Sequence, residues 1–214
     1  MRRTLWVMLY AVAMAAVEAA VVVYLRALHT GAPPLSVLAY ELPGRLLAIE
    51  VGREFATVVM LFAVAAIAAS NAWERFLYFA LAFGVWDIFY YVWLWVFIGW
   101  PPSPFTWDIL FLIPVPWIGP VIAPVIVSLC LVAGAMWLLG RPALRLSRRA
   151  WLLASLGAIL ILISFMLDYQ HALARTEPPR FRWELFLAGI ITGVLGFISD
   201  RARMGRLAER GGGA

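Results

Sequence analysis

The chain has 214 residues, of which 64% are hydrophobic and only 14% are charged. The mean hydropathy is +0.91, and several apolar runs reach the roughly 18 to 20 residues that cross a hydrocarbon core, which excludes an ordinary soluble domain. The net charge is +5, but the basic residues, all of them arginine, cluster at the ends of apolar runs. That placement is typical of membrane orientation signals, and no nucleic-acid partner is expected.

The sequence predicts an all-α, polytopic integral membrane protein, a bundle of six transmembrane helices. The expected spans cover about residues 5–25, 46–69, 76–99, 118–139, 150–167 and 183–199. These spans form one expected transmembrane domain over residues 1–199, followed by a basic cytoplasmic tail over residues 200–214. The first apolar run continues to Leu25, so it is interpreted as a retained helix rather than a cleaved signal peptide.

The arginines predict an orientation with both termini in the cytoplasm. On the side shared by the termini they number eleven: Arg2, Arg3, Arg75, Arg141, Arg145, Arg148, Arg149, Arg201, Arg203, Arg206 and Arg210. On the other side they number five: Arg26, Arg45, Arg175, Arg180 and Arg182. Such an excess indicates the cytoplasmic side. We expect the protein in a bilayer, most simply the inner membrane of a bacterium.

A proline-rich apolar segment precedes the fourth expected span. It reads ILFLIPVPW, with Pro114 and Pro116 inside it. Because proline removes a backbone donor and disrupts a helix, we expect a short interfacial or re-entrant helix over about residues 106–113 and then a proline-marked entry into the span. Asp108 is interpreted as an acid near the start of that helix, where it favours the helix dipole.

The second expected span carries charge inside its apolar run. Glu50, Arg53, Glu54 and Thr57 follow the spacing i, i+3, i+4, i+7, which places them on one helical face. Lipid is expected to meet the opposite face. This pattern indicates that the helix lines a polar interior.

Two other expected spans carry acids at a similar depth. Glu18 lies in the outer half of the first span and Asp87 lies near the middle of the third. Tyr90 and Tyr91 follow Asp87 by about one helical turn and are expected to hydrogen-bond into the same region. We therefore predict that three consecutive helices bring four carboxyl groups together.

These acids are too costly to face lipid. One charged side chain near the bilayer centre costs at least about 2.5 to 3.5 kcal/mol on insertion scales, so four would cost on the order of 10 kcal/mol. Arg53 alone leaves an excess of three acids, and like charges repel strongly in a medium of low dielectric constant. The site must therefore hold protons, cations or water.

Three functions remain open from these residues. Glu18, Glu50, Glu54 and Asp87 could bind the protons or cations of a transporter or ion-handling protein. The same oxygens could hold a hard metal ion such as Mg²⁺, Ca²⁺, Mn²⁺ or iron in a membrane-embedded enzyme acting on a lipid or quinone. Haem is not expected, because both histidines fall outside the spans. In the third interpretation, Arg53 clamps Glu18, Glu50 and Asp87 and so fixes helix packing in a non-catalytic subunit of a larger membrane complex.

A small-residue pattern lies in the last expected span. Gly189 and Gly193 form a GxxxG motif, a spacing that lets two helices approach closely. The motif predicts either packing within the chain's own bundle, which is favoured, or the interface of a homodimer or larger membrane complex.

Overall fold

The computed structural model describes residues 2–30, 44–141, 144–174, 176 and 178–211, and the side chains of His29, Thr30 and residues 200–211 lie outside the description. Most of the described residues are helical. The chain divides into two compact units. The first comprises Met1–Pro142 with Tyr169–Glu177, and the second comprises Ala143–Asp168 with Pro178–Ala214. The single domain expected over residues 1–199 stays a prediction.

Seven α-helices and two β-strands make up the described chain. In order they are α1 (Arg2–Thr30), α2 (Gly44–Ala68), α3 (Ala72–Ile98), β1 (Trp107–Phe111), β2 (Trp117–Pro120), α4 (Ile122–Leu139), α5 (Arg148–Met166), α6 (Tyr169–Ala174) and α7 (Trp183–Gly211). Five stretches of the described chain are long and apolar enough to cross a membrane: Arg2–Leu28, Gly44–Ala68, Ala72–Ile98, Ile122–Leu139 and Arg148–Ala174. This composition is that of an integral membrane protein.

The sixth predicted span is helical but differs from the other five. Its apolar part, Trp183–Ser199, is shorter than the other apolar stretches. The helix does not end there, because α7 continues to Gly211 through most of the predicted basic tail. The expected tail therefore begins as an extension of the same helix.

The first unit also corrects where the first span ends. Helix α1 extends to Thr30, beyond the predicted end at residue 25. Arg26, which was expected in a loop, lies inside this helix and is only 2% exposed. The segment 31–43, where most of the predicted loop falls, lies outside the described residues.

The segment before α4 is a β-hairpin rather than the predicted interfacial or re-entrant helix. Strands β1 and β2 pair antiparallel, with Asp108 opposite Gly119 and a register shift between Ile109 and Phe111. Aromatic and β-branched residues favour strands, and the two prolines fall in the connection between them. Residues 118–120, predicted as the start of the fourth span, belong to β2. The all-α prediction is thus wrong for this segment.

Small residues let the helices of the first unit pack closely. Val7, Ala11, Ala15 and Ala19 lie at four-residue intervals on one face of α1 and are all buried, and α3 is the main neighbour of this helix. On α3, a Cβ at Gly84 would lie 2.8 Å from the carbonyl oxygen of Ser128 on α4. Glycine is required there because α3 and α4 approach so closely.

The second unit is a pair of helices, α5 and α7, in extensive contact. A Cβ at Gly157 would lie 2.6 Å from the carbonyl oxygen of Gly189, and a Cβ at Gly189 would lie 2.7 Å from the carbonyl oxygen of Gly157. A Cβ at Gly193 would meet nothing within 4 Å. Within the chain, Gly189 therefore packs against α5, while the homodimer prediction for this motif stays a prediction.

Candidate functional site: an acidic cavity in the first unit

A cavity of about 230 Å³ lies within the first unit. All four predicted acids line it, together with Arg53, Tyr90 and Tyr91. The hairpin contributes Ile109, Leu110, Phe111, Leu112 and Pro116, and α6 contributes Ala172 and Leu173. The structure thus places the acids of three helices around one space, under side chains from the hairpin and α6.

Two charged residues that were not assigned to the site also line this cavity. They are Arg26 from the end of α1 and Asp108 from β1. The cavity therefore has five carboxyl groups (Glu18, Glu50, Glu54, Asp87 and Asp108) and two guanidinium groups among the described residues. The excess of three acids that was predicted for the smaller set is unchanged in the larger one.

Arg53 joins two of the acids. Its guanidinium forms an ion pair with Glu18 across the α1–α2 interface. It also donates hydrogen bonds to both oxygens of Glu50, one turn earlier on α2, at 3.0 and 2.5 Å. Asp87 has no ion pair with Arg53, so the clamp expected on three acids is a clamp on two.

Thr57 completes this contact between α1 and α2. Its hydroxyl donates a hydrogen bond of 2.7 Å to Glu18 and lies 3.2 Å from the carbonyl oxygen of Arg53, one turn earlier. Thr57 is 1% exposed and Glu18 is 5% exposed. Glu18 is therefore buried but has two partners, the guanidinium and the hydroxyl, which offset its loss of water.

Glu54 faces the hairpin instead of the arginine. Its carboxylate accepts a hydrogen bond of 2.9 Å from the backbone N–H of Leu112, just beyond β1. In the described part of the chain, no arginine is in ion-pair contact with Glu54. Glu54 thus ties the hairpin to α2.

Asp87 has a hydroxyl partner on the neighbouring helix. It accepts a hydrogen bond of 2.8 Å from Ser128 on α4, where the glycine at position 84 lets the two helices approach. No ion-pair partner of Asp87 is found in the described residues. Like Glu54, it brings to the cavity a carboxyl group that forms no ion pair within the described part of the chain.

Asp108 lies in strand β1 and is 1% exposed, so its predicted role at a helix start is wrong. The hydroxyl of Tyr91 donates a hydrogen bond of 3.0 Å to it. Burial raises the pKa of Asp108 to about 6, although the charge of Arg26 and the hydrogen bond from Tyr91 act in the opposite direction. The predicted hydrogen bonding of Tyr91 into the site is present, with Asp108 as the partner rather than Asp87.

Aromatic rings form one wall of the cavity. Trp86, Tyr90 and Tyr91 all line it, and their ring centroids lie 6.4 Å apart for Trp86 and Tyr90 and 5.1 Å apart for the two tyrosines. The guanidinium of Arg26 lies 4.2 Å from the ring centroid of Trp100. One of the two guanidinium groups that line this space, that of Arg26, is thus held against an aromatic ring.

The part of the chain that the structure describes gives no support to a metal centre with several protein ligands. Among the described residues, no group of three or more His, Cys, Asp or Glu side chains is placed to hold a metal ion. The acids line one cavity, but each has its own partners around the wall. His171 lies on α6 with Nδ1 3.0 Å from the hydroxyl of Thr176, and the side chain of His29 lies outside the described residues.

The comparisons with known proteins add no analogy to this geometry. No family model matches the sequence, and no curated protein or solved structure shows significant similarity to it. The functional argument therefore depends on the cavity alone.

Proposed function

We propose that this protein is a membrane transporter or ion-handling protein that moves a proton or another cation through the acidic cavity of its first unit. The observation that carries the proposal is the ratio of charges that the described residues bring to that cavity, five carboxyl groups to two guanidinium groups. An excess of acids in a confined space needs protons or cations, and groups that bind them reversibly are the usual components of relays in membrane transport.

The distribution of partners supports the same proposal. Arg53 holds Glu18 and Glu50 in a fixed contact. Among the described residues, Glu54 and Asp87 accept hydrogen bonds only from neutral donors, a backbone N–H and a serine hydroxyl. A carboxyl group held by neutral donors is not neutralised by them, so a proton or another cation can bind to it and leave again. Glu54 and Asp87 are therefore the proposed exchanging groups, and Glu18, Arg53 and Thr57 form the proposed fixed framework.

A structural role is the second candidate, and a specific observation favours it. The Glu18–Arg53–Glu50 contact joins α1 to α2 in the manner expected of a packing element. Such a network would leave the protein stable but inactive in any flux assay. A metal-dependent enzyme acting on a lipid or quinone lacks an observed ligand set among the described residues.

Flux across a reconstituted membrane distinguishes these functions. The purified protein is placed in liposomes that contain a pH-sensitive dye, and a potassium gradient with valinomycin imposes a membrane potential. We expect acidification that depends on the potential, and we expect it to be lost in Asp87→Asn and strongly reduced in Glu54→Gln. Arg75→Gln is the matched control, because Arg75 is an exposed charge on the same helix as Asp87.

Two outcomes would count against transport. If the wild-type protein carried no protons in the dye assay, and no sodium or organic cation in a parallel uptake assay with labelled ions, the proposal would fail. If flux were present but equal in the wild type and in Asp87→Asn, the cavity would not be the path. The variants must first retain the wild-type elution profile in detergent, so that loss of folding is not mistaken for loss of flux.

A further inference from the structure

The second unit has a basic end that the proposed function does not use. We infer that this end, formed by the start of α5 and by the helical extension of α7 beyond its apolar part, is a docking surface for anionic phospholipid headgroups. The inference is independent of the acidic cavity, because it concerns only residues of the second unit.

The start of α5 lies beside the end of the apolar part of α7. A Cβ at Gly196 on α7 would lie 3.2 Å from the carbonyl oxygen of Ala150 and 2.9 Å from the Cβ of Leu153, both in the first two turns of α5. Further along the pair, Gly189 meets Gly157. The two helices are therefore antiparallel, and the residues that begin α5 lie at the same end of the pair as the extension of α7.

This end carries far more positive than negative charge. Its charged residues in the sequence are seven arginines, Arg145, Arg148, Arg149, Arg201, Arg203, Arg206 and Arg210, and two acids, Asp200 and Glu209. Arg148 and Arg149 are exposed, and neither forms an ion pair with a described side chain. The first turn of α5 has no acid, and the helix dipole adds further positive charge there. The acids of the chain are too few to neutralise this end, so it favours an anionic partner.

The opposite end of the same helix pair is different. Arg182 forms an ion pair of 3.3 Å with Asp168, which follows α5. Arg180 forms an ion pair of 3.3 Å with Glu184, in the first turn of α7. Each of these two arginines has an acid of the chain as its partner. The excess of positive charge in the second unit is therefore confined to one end.

The depth of the basic end matches that of lipid phosphates. Helix α5 opens a stretch that is long and apolar enough to cross a membrane, Arg148–Ala174. At 1.5 Å per residue, Arg148 lies about 3 Å beyond Ala150 toward this end, and Arg201 lies about 7 to 8 Å beyond Gly196 in the same direction. The headgroup region on each side of a bilayer is about 5 to 8 Å thick. The arginines that begin α5 and the first ones that follow the apolar part of α7 therefore fall within one headgroup layer.

The chemistry of these side chains favours a phosphate partner. Guanidinium groups bind phosphate oxygens with two parallel hydrogen bonds, and clusters of basic residues next to a membrane span attract anionic lipids. A soluble polyanion such as RNA has the same charge. The position of the basic end beside a candidate span favours the lipid, because the headgroups are already at that level.

Lipid binding to the full chain tests the inference. Native mass spectrometry of the protein released from detergent micelles counts the phospholipids that remain bound. The protein is titrated with phosphatidylglycerol and with phosphatidylcholine of the same acyl chains, which has a phosphate but no net charge. We expect the wild type to bind phosphatidylglycerol at least about tenfold more tightly, and we expect this preference to fall as the concentration of ammonium acetate rises.

A pair of matched double variants locates the surface. Arg148→Gln with Arg149→Gln should weaken the binding of phosphatidylglycerol by on the order of tenfold and leave that of phosphatidylcholine unchanged, because each arginine near an anionic surface contributes about fivefold. Arg180→Gln with Arg182→Gln removes the same charge from the opposite end and should keep the preference of the wild type. If the first variant does not fold, the variant with glutamine at positions 201, 203, 206 and 210 takes its place.

The inference is overturned if the wild type binds the two lipids equally well. It is also overturned if the two double variants lose phosphatidylglycerol to the same extent, because the basic end would then have no special role. Binding of a single-stranded RNA oligonucleotide, without any preference for phosphatidylglycerol, would assign the surface to a soluble polyanion and contradict the inference.

Discussion

Glu54 on α2 accepts a hydrogen bond of 2.9 Å from the backbone N–H of Leu112, so one side chain connects a candidate membrane helix to the hairpin 58 residues further along the chain. Leu112 and Glu54 both line the acidic cavity. The position of the hairpin over the cavity and the charge of the cavity are therefore linked through one carboxyl group.

Glu54→Leu should loosen the hairpin, because it leaves the N–H of Leu112 without its acceptor. Loss of a hydrogen bond to a charged acceptor costs about 1.5 to 3 kcal/mol, so amide exchange in a peptide covering residues 106–120 should accelerate by on the order of tenfold or more. Glu54→Gln retains an acceptor oxygen and should exchange nearly as slowly as the wild type. Hydrogen exchange followed by mass spectrometry measures the rates in both variants. Equal rates in the leucine variant and the wild type would show that Glu54 does not hold the hairpin in place.

Arg53→Gln should destabilise the contact between α1 and α2. The substitution leaves Glu18, which is 5% exposed, without its guanidinium partner. Removing one partner of a buried ion pair costs about 3 to 5 kcal/mol of stability. The lower end is expected here because the side chain of Arg53 is 21% exposed.

Thermal unfolding in detergent measures this loss, with the exposed Arg75→Gln as the control. The double variant Arg53→Gln with Glu18→Gln should recover part of the stability, because the uncompensated charge is then absent. A melting temperature of Arg53→Gln equal to that of the control would show that the ion pair contributes nothing.

Asp108 should make the protein more stable in acid than at neutral pH. Its pKa in the folded state is raised to about 6, above the value of about 3.9 expected for the unfolded chain. Its contribution to stability is therefore fully present below about pH 4 and is lost as the pH rises through about 6, a change of roughly 3 kcal/mol. Asp108→Asn should flatten this part of the stability profile between pH 4 and 8, and an unchanged profile in the variant would assign the pH dependence to other groups.

Gly157→Ala should separate α5 from α7, whereas Gly193→Ala should not. The added Cβ at position 157 would lie 2.6 Å from the backbone of α7, and the one at position 193 would meet nothing within 4 Å. Overpacking of this kind costs about 1 to 3 kcal/mol, while alanine in an open helical position is neutral or slightly stabilising.

The free energy of unfolding and the oligomeric state are measured for both glycine variants. Together they distinguish packing of the motif within the chain from packing against a second copy. A loss of stability confined to Gly157→Ala supports packing within the chain. A loss of dimer in Gly193→Ala, without a loss of stability, would assign the open face of α7 to a second copy.

The helices and the first four acids could be predicted because their signals are local. Runs of apolar residues set the spans, and the spacing of Glu50, Arg53, Glu54 and Thr57 set one face of α2. The partners could not be predicted, because Thr57 meets Glu18 across 39 residues and Ser128 meets Asp87 across 41. The depth of a residue in the bilayer predicts which groups lie at the same level, but it does not predict which of them are in contact.

The hairpin was missed because its apolar segment was judged by hydrophobicity and by its prolines. The alternative signal was present: Trp107, Ile109 and Phe111 precede the prolines, and Trp117 and Ile118 follow them, which are residues that favour strands. Once that segment was expected to be helical, Asp108 was assigned to a helix end rather than to the cavity. Arg26 was missed for a similar reason, since α1 continues past the point where its apolar run ends.

The charge of the cavity is tested most directly by infrared spectroscopy of its carboxyl groups. Protein in detergent, without added small cations, is stepped from acidic to alkaline pH while the stretching band of protonated carboxyl groups is recorded. The account predicts that the wild type loses intensity in this band, that Asp87→Asn and Glu54→Gln each remove part of the change, and that Arg75→Gln removes none. A difference spectrum that is the same in the wild type and in the double variant Asp87→Asn with Glu54→Gln would contradict it, because the acids would then exchange no charge.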